Sequence, residues 1–195
     1  PGTNYSLVVS LTHYQTQTIS PITISSDQTT TENVALVPNT GTISGTVQDS
    51  ISHGGISGVT ITALQGNTVI QITTTGGGGT YTFSSPFTPG TYTIQASFTH
   101  YQSSSQTTTV TSDTASTVDF SLVPNPGSIA GTVTDSLTGD PLGSVTISIQ
   151  QGGAEVASTT TATNATYTVS SLAPGTYDVH ADKTNYTPQT TPSIS

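Results

Sequence analysis

The chain has 195 residues, with a single Lys and no Arg against ten acidic residues, and a formal charge of −9. That leaves no basic cluster to displace counterions from nucleic acid or to meet an anionic membrane surface, so neither partner is expected. Cys is absent, which excludes disulfides, thiolate metal sites and Cys nucleophiles, and no apolar run approaches the roughly 20 residues that span a bilayer as a helix.

The first segment, "PGTNYSLVVSLTHYQ" from Pro1 to Gln15, reads as a strand followed by a turn. Residues 1 to about 37 match only the last three strands of a unit that recurs further on. The "LVPNTGTISGTVQDS" of Leu36–Ser50 returns as "LVPNPGSIAGTVTDS" at Leu122–Ser136, 86 positions later. A period this long is a whole domain rather than a solenoid turn. Within the complete period, apolar residues alternate with polar ones at Val59, Ile61 and Ala63, then at Tyr92, Ile94, Ala96 and Phe98, then at Val118, Phe120 and Leu122. Alternation of this kind marks half-buried strands, and Thr, Val, Ile and Tyr favour them. Seven strands are expected, at about 42–48, 59–64, 68–74, 80–84, 91–98, 105–111 and 117–123, in a small antiparallel sandwich. The aromatic residues Tyr81, Phe83, Tyr92 and Phe98 are the expected core, with Tyr167 and Tyr177 as counterparts in the next copy. The "GGGG" of Gly76–Gly79 reads as a hairpin tip, and Pro89–Gly90 and Pro174–Gly175 as type II turns.

The chain therefore divides into 1–38 (the closing strands of a truncated or strand-donating module), 39–124 (a complete sandwich) and 125–195 (a sandwich without its last strand). Pro38, Pro124 and Pro126 mark the junctions, where proline stiffens a short linker. The expected architecture is all-β: tandem immunoglobulin-like, seven-stranded sandwich modules in an extended array.

The third segment, "GSIAGTVTDSLTGDPLGSVTISIQ", followed by "LAPGTYDVHADKTNY", resembles a carboxypeptidase regulatory-like module of the transthyretin-like and CnaB-like group. The resemblance rests on Gly127, Ile129, Gly131, Thr132, Val133 and Asp135, on "PLGSVTI", and on Pro174–Gly175–Thr176–Tyr177. It implies a non-catalytic extracellular stalk, spacer or accessory domain. CnaB-like relatives often form a Lys–Asn isopeptide bond. Lys183 is the only Lys, so that chemistry is not expected in every module, and Lys183 reads as a solvated strand residue.

Candidate sites are few. Asn4, Asn164 and Asn185 stand in Asn-x-Ser/Thr sequons and are possible N-glycan acceptors in a secretory context. Thr31, Val34, Leu36 and Val37 form a candidate donated strand, since strand addition uses main-chain hydrogen bonds and alternate side chains. His13 and His100 occupy equivalent "THYQ" positions, one per module, which is no metal constellation. Asp49 and Asp135 follow the "GTV" strand and read as turn caps. No catalytic residue, metal or cofactor is expected. The leading function is a structural subunit of an extracellular filament or cell-surface stalk, partnered by itself in a head-to-tail homopolymer or by neighbouring modules, with glycans as candidate attachments. The alternative is a polysaccharide-binding or adhesin accessory module, for which Tyr14 and Tyr101 are the candidate sugar platforms.

Overall fold

The computed structural model describes residues 2–195, Thr3 by its backbone alone; Pro1 of the 1–38 segment lies outside the described residues. The architecture is all-β, in two compact units that divide at Val123 and Pro124. Among the described residues the only helical element is a single 3-10 turn at Gly77–Gly79.

Unit 1 begins with β1 (Gly2–Val9) and β2 (Gln17–Ile24), an antiparallel pair. The sandwich proper follows: β3 (Thr42–Asp49), β4 (Thr60–Gln65), β5 (Thr68–Thr74), β6 (Thr80–Thr82), β7 (Gly90–Ser97), β8 (Ser104–Val110), β9 (Ala115–Thr117) and β10 (Phe120–Leu122). One sheet has the order β5-β4-β7-β8, and the other places β3 between β6 and the β9/β10 pair. Inward side chains of both sheets meet at Ile43, Val47, Val59, Ile61, Ile94 and Leu122, all fully buried. An aromatic chain crosses this core, Tyr81 to Phe83 to Phe87 to Tyr92, edge to face with centroids 5.9, 5.2 and 5.0 Å apart. That is the arrangement favoured by the ring quadrupoles.

Unit 2 repeats the plan with β11 (Gly127–Thr132), β12 (Thr146–Gln151), β13 (Ala154–Thr160), β14 (Thr166–Leu172), β15 (Tyr177–Asp182) and β16 (Gln189–Ile194). Its sheets have the orders β13-β12-β15-β16 and β11-β14. Val145, Ile147, Ile149, Val169, Leu172, Tyr177 and Val179 form its buried core.

Several sequence expectations need correcting. The sandwich is not antiparallel throughout: β9 and β10 run parallel to β3. They divide the expected 117–123 strand in two, because the Asp119 side chain breaks the ladder and accepts a 2.7 Å hydrogen bond from Thr46 N–H in place of a backbone carbonyl. Gly76–Gly79 is no hairpin tip. It carries the chain from β5 in one sheet to β6 in the other, and the preceding Thr75 buries its hydroxyl to bond Ile56 O and Val59 N. The Pro-Gly pairs are not type II turns, which need φ near +80° at the glycine. Gly90 sits at φ 156° and Gly175 has no positive φ. At Gly90 that φ itself favours glycine, whereas at Gly175 the one close neighbour of an added Cβ is the end of the exposed, flexible Gln151 side chain.

Phe98 is not core. It lies just past β7, 36% exposed, against Tyr101 with centroids 5.9 Å apart. The alternation that buries Tyr92, Ile94 and Ala96 ends at Ser97, where the strand stops. Phe87, in the loop before β7, takes the core place instead and is 1% exposed. Tyr167 is half-buried, unlike its counterpart Tyr81.

Candidate functional site

Two features stand out from the strands upward: a pinned turn found once in each unit, and the edge of β11 in unit 2, which among the described residues pairs on one side alone.

The turn follows the first strand of each sandwich. In unit 1, Asp49 ends β3 and its Oδ1 accepts from the backbone N–H of Ile51 and Ser52, both at 2.8 Å. Its Oδ2 accepts from the Tyr101 hydroxyl at 2.7 Å. Bonds from Ser52 N–H, the Tyr101 hydroxyl and Ile51 N–H together pull the carboxyl down to a pKa of about 2. In unit 2, Asp135 accepts from Leu137 N–H (2.8 Å), Thr138 N–H (3.1 Å) and the Tyr186 hydroxyl (3.0 Å). The backbone bonds from Leu137 and Thr138, then the Tyr186 bond, hold its carboxyl below the ordinary range. The turn-cap expectation for both Asp residues is met. The Tyr partners were not foreseen, because they lie 52 and 51 residues away in sequence.

A third cluster ties the first segment to its sandwich. His13 Nδ1 lies 2.9 Å from Asp113 Oδ2, and Asn39 Nδ2 donates to the same oxygen at 3.0 Å. Asn39 first, and then His13, lower the Asp113 pKa. Among the described residues, no three His, Cys, Asp or Glu side chains converge as metal ligands would. Lys183 follows β15 rather than lying on it. It is half-buried, and its Nζ donates to Gly143 O at 2.7 Å, so it is not the solvated residue expected.

The sequon residues Asn4, Asn164 and Asn185 are all exposed. Asn164 Oδ1 accepts from the Thr166 hydroxyl at 2.7 Å, within the Asn164–Ala165–Thr166 sequon itself. Thr31, Val34, Leu36 and Val37 belong to no strand; Val34 and Leu36 are half-buried and Val37 is exposed. Val37 O accepts from Gln15 N–H at 2.8 Å, as Val123 O does from Gln102 N–H at the same distance. Pro38 bridges Tyr14 across this turn. Pro124 and Pro126 stand at the start of unit 2. Of the two candidate platforms, Tyr101 spends its hydroxyl on Asp49, and Tyr14 is 37% exposed.

The open edge lies on β11. In unit 1 the equivalent strand β3 is covered by β9 and β10, with Phe120 opposite Val47 and Leu122 opposite Asp49. In unit 2, among the described residues, β11 pairs with β14 alone. Hollows of about 650 and 1030 Å³ open at the two ends of that edge. One is floored by Ile129, Tyr167 and Leu172, the other by Val133, Leu142 and Tyr186.

Comparison with known proteins agrees with this geometry. The carboxypeptidase regulatory-like domain model matches residues 42–123 and again 128–195. The chain belongs to the carboxypeptidase regulatory-like domain family. Each sandwich is one such regulatory-like domain, and the pinned Asp–Tyr turn recurs in both. No curated protein matches the sequence. Among solved structures, the chain is similar to the Bacillus anthracis TIE protein (14% identity, TM-score 0.47, 91% of this chain and 34% of that one). It is also similar to the minor pilin GBS52 of Streptococcus agalactiae (13% identity, TM-score 0.34, 79% and 90%). A third similar structure is the 5-hydroxyisourate hydrolase of Klebsiella pneumoniae (15% identity, TM-score 0.33, 47% and 94%). The chain spans about a third of the length of the Bacillus anthracis protein.

Proposed function

We infer that this chain is a non-catalytic structural segment of an extracellular filament or cell-surface stalk, built by repeating regulatory-like domains head to tail. The observation that carries this reading is the duplication itself. The same sandwich appears twice, each copy with its own core and its own Asp–Tyr-pinned turn. Repetition of self-contained modules adds length without demanding a new fold for each increment. The surface strands suit exposure: β8 and β13 are rich in Ser and Thr, and one Lys with no Arg offers trypsin-like proteases a single cleavage point. The partners in this reading are further copies of the module, with glycans on Asn4, Asn164 and Asn185. Electron microscopy of native cells with immunogold against the chain tests it. Label along extended surface fibres is expected, and label confined to the cell interior overturns it.

Exposed Tyr5 and Tyr14, 52% and 37% accessible, favour a second reading in which the modules dock polysaccharide for a larger secreted protein. Binding of the monomeric chain on a glycan array, lost in Tyr14→Ala, distinguishes that role from the first.

A further inference from the structure

The charged residues are unevenly spread along the chain. Between Gly54 and Thr99 there is no Asp, Glu, Lys, Arg or His, so β4, β5, β6 and β7 of unit 1 carry no charge. The formal charge of −9 belongs to the rest of the molecule. Two copies therefore repel each other least along this part of the surface. Unit 2 differs: its matching strands carry Glu155 on β13 and Asp178, His180 and Asp182 on β15.

β5 is the outer strand of that uncharged stretch. It pairs with β4 alone, and among the described residues no other hydrogen bond reaches its main chain. It lies inside the complete module, whose own strands leave this side of it open. Val69, Ile70 and Ile72 along it are 51, 42 and 63% exposed. Sheet edges are ordinarily guarded by charge, proline or a bulge. β5 has neither charge nor proline, and its one irregularity is at Ile70, which the register with β4 skips. The strand is also tied in place. The Gln71 side chain donates to Ser85 O at 2.9 Å and accepts from Ser85 N–H at 3.2 Å, and the Thr73 hydroxyl donates to Thr82 O at 3.2 Å. An edge already held extended loses little further freedom on pairing. At the equivalent edge of unit 2, Glu155 stands for Val69 and Ser158 for Ile72, and only Val156 keeps a large apolar side chain.

We propose that β5 of unit 1 pairs antiparallel with β5 of a second copy of this chain. A two-fold axis near Gln71 sets Ile70 of each copy opposite Ile72 of the other, and joins two four-stranded sheets into a single eight-stranded one. A second copy is the occupant because this surface is its own complement. Pairing about a two-fold matches the strand to itself. Main-chain groups then meet main-chain groups, isoleucines cover isoleucines across the seam, and no like charges are brought together. Pairing with β13 of another copy would instead press the Glu155 carboxylate against an apolar strip, at the cost of its hydration. The contact is lateral, and it holds whether or not the modules also join head to tail in a filament.

Sedimentation velocity of the full chain over a dilution series tests the pairing. A reversible dimer is expected, with amide hydrogen exchange at residues 69–73 slowed in the dimer and restored on dilution. The double variant Val69→Glu, Ile72→Ser gives β5 the residues that unit 2 already carries in the same sandwich, so the fold is kept, as circular dichroism will check. Its dimer should be weaker by about tenfold or more, because each copy then brings an unpaired carboxylate to the seam. Ser158→Lys on β13 is the control and should leave the dimer unchanged. Added salt should leave the dimer intact or tighten it, since it screens only the repulsion between two negative chains. A chain that stays monomeric at millimolar concentration overturns the proposal, as does a dimer that the double variant leaves intact. So do β5 amides already protected in the monomer, or a dimer whose protection falls on β1 and β2 instead.

Discussion

Asp49 and Asp135 close equivalent turns with the same pair of backbone amides and the same distant Tyr. The Asp49 carboxyl titrates at about 2 in the folded chain against an ordinary 3.8. A depressed carboxylate pKa means that folding favours the ionised form. Its stabilisation is complete above about pH 4 and drains away as pH falls toward 2. Asp49→Asn is therefore expected to flatten the acid limb of unit 1 unfolding over that window, measured by circular dichroism against pH. Tyr101→Phe removes a bond that lowers the carboxyl pKa, so the midpoint of that limb should move upward. Buried Tyr81 provides a sharper contrast: Tyr81→Phe strands the Val118 carbonyl and should cost roughly 1–3 kcal/mol. Tyr167→Phe removes a hydroxyl that bonds no described residue and should cost about 0.5 kcal/mol or less in the chain alone, by urea denaturation. At Asn164, the Thr166 hydroxyl already bonds the side-chain amide oxygen. Expression in a eukaryotic secretory host should add a glycan there that peptide-N-glycosidase removes, and an unchanged mass after treatment refutes the site.

At the scale of elements, the alternating apolar pattern was legible because strand geometry is local. Ile61, Ala63, Ile94 and Ala96 face inward as their two-residue period requires. Phe98 failed because the pattern carries no sign of where a strand ends. Phe87 was missed because a loop residue has no period to betray it. Its position among Phe83 and Tyr92 makes Phe87→Ala an informative deletion, expected to destabilise unit 1 by about 3–5 kcal/mol in urea. The direction of β9 and β10 was likewise hidden: a strand reads the same in sequence whether it lies parallel or antiparallel to its neighbour, and only the partner decides.

For the molecule as a whole, two compact units with separate cores should melt as two events. The half-buried Ile129, Val133, Leu142 and Tyr167 leave unit 2 with less apolar burial, so the lower calorimetric transition is assigned to unit 2. Leu122→Ala should move only the upper transition, and a single cooperative melt would contradict the division.

By itself the sequence determined the all-β class, the 86-residue repeat and most inward-facing strand residues, because each depends on local periodicity or on direct repetition, while the family rested on the resemblance of its motif residues. Tertiary structure alone decided the Asp–Tyr pins, the placing of Phe87 and the parallel closing strands. Each of these is a meeting of residues far apart along the chain, and such a meeting is fixed by the closing of two sheets around a core rather than by any neighbouring residue.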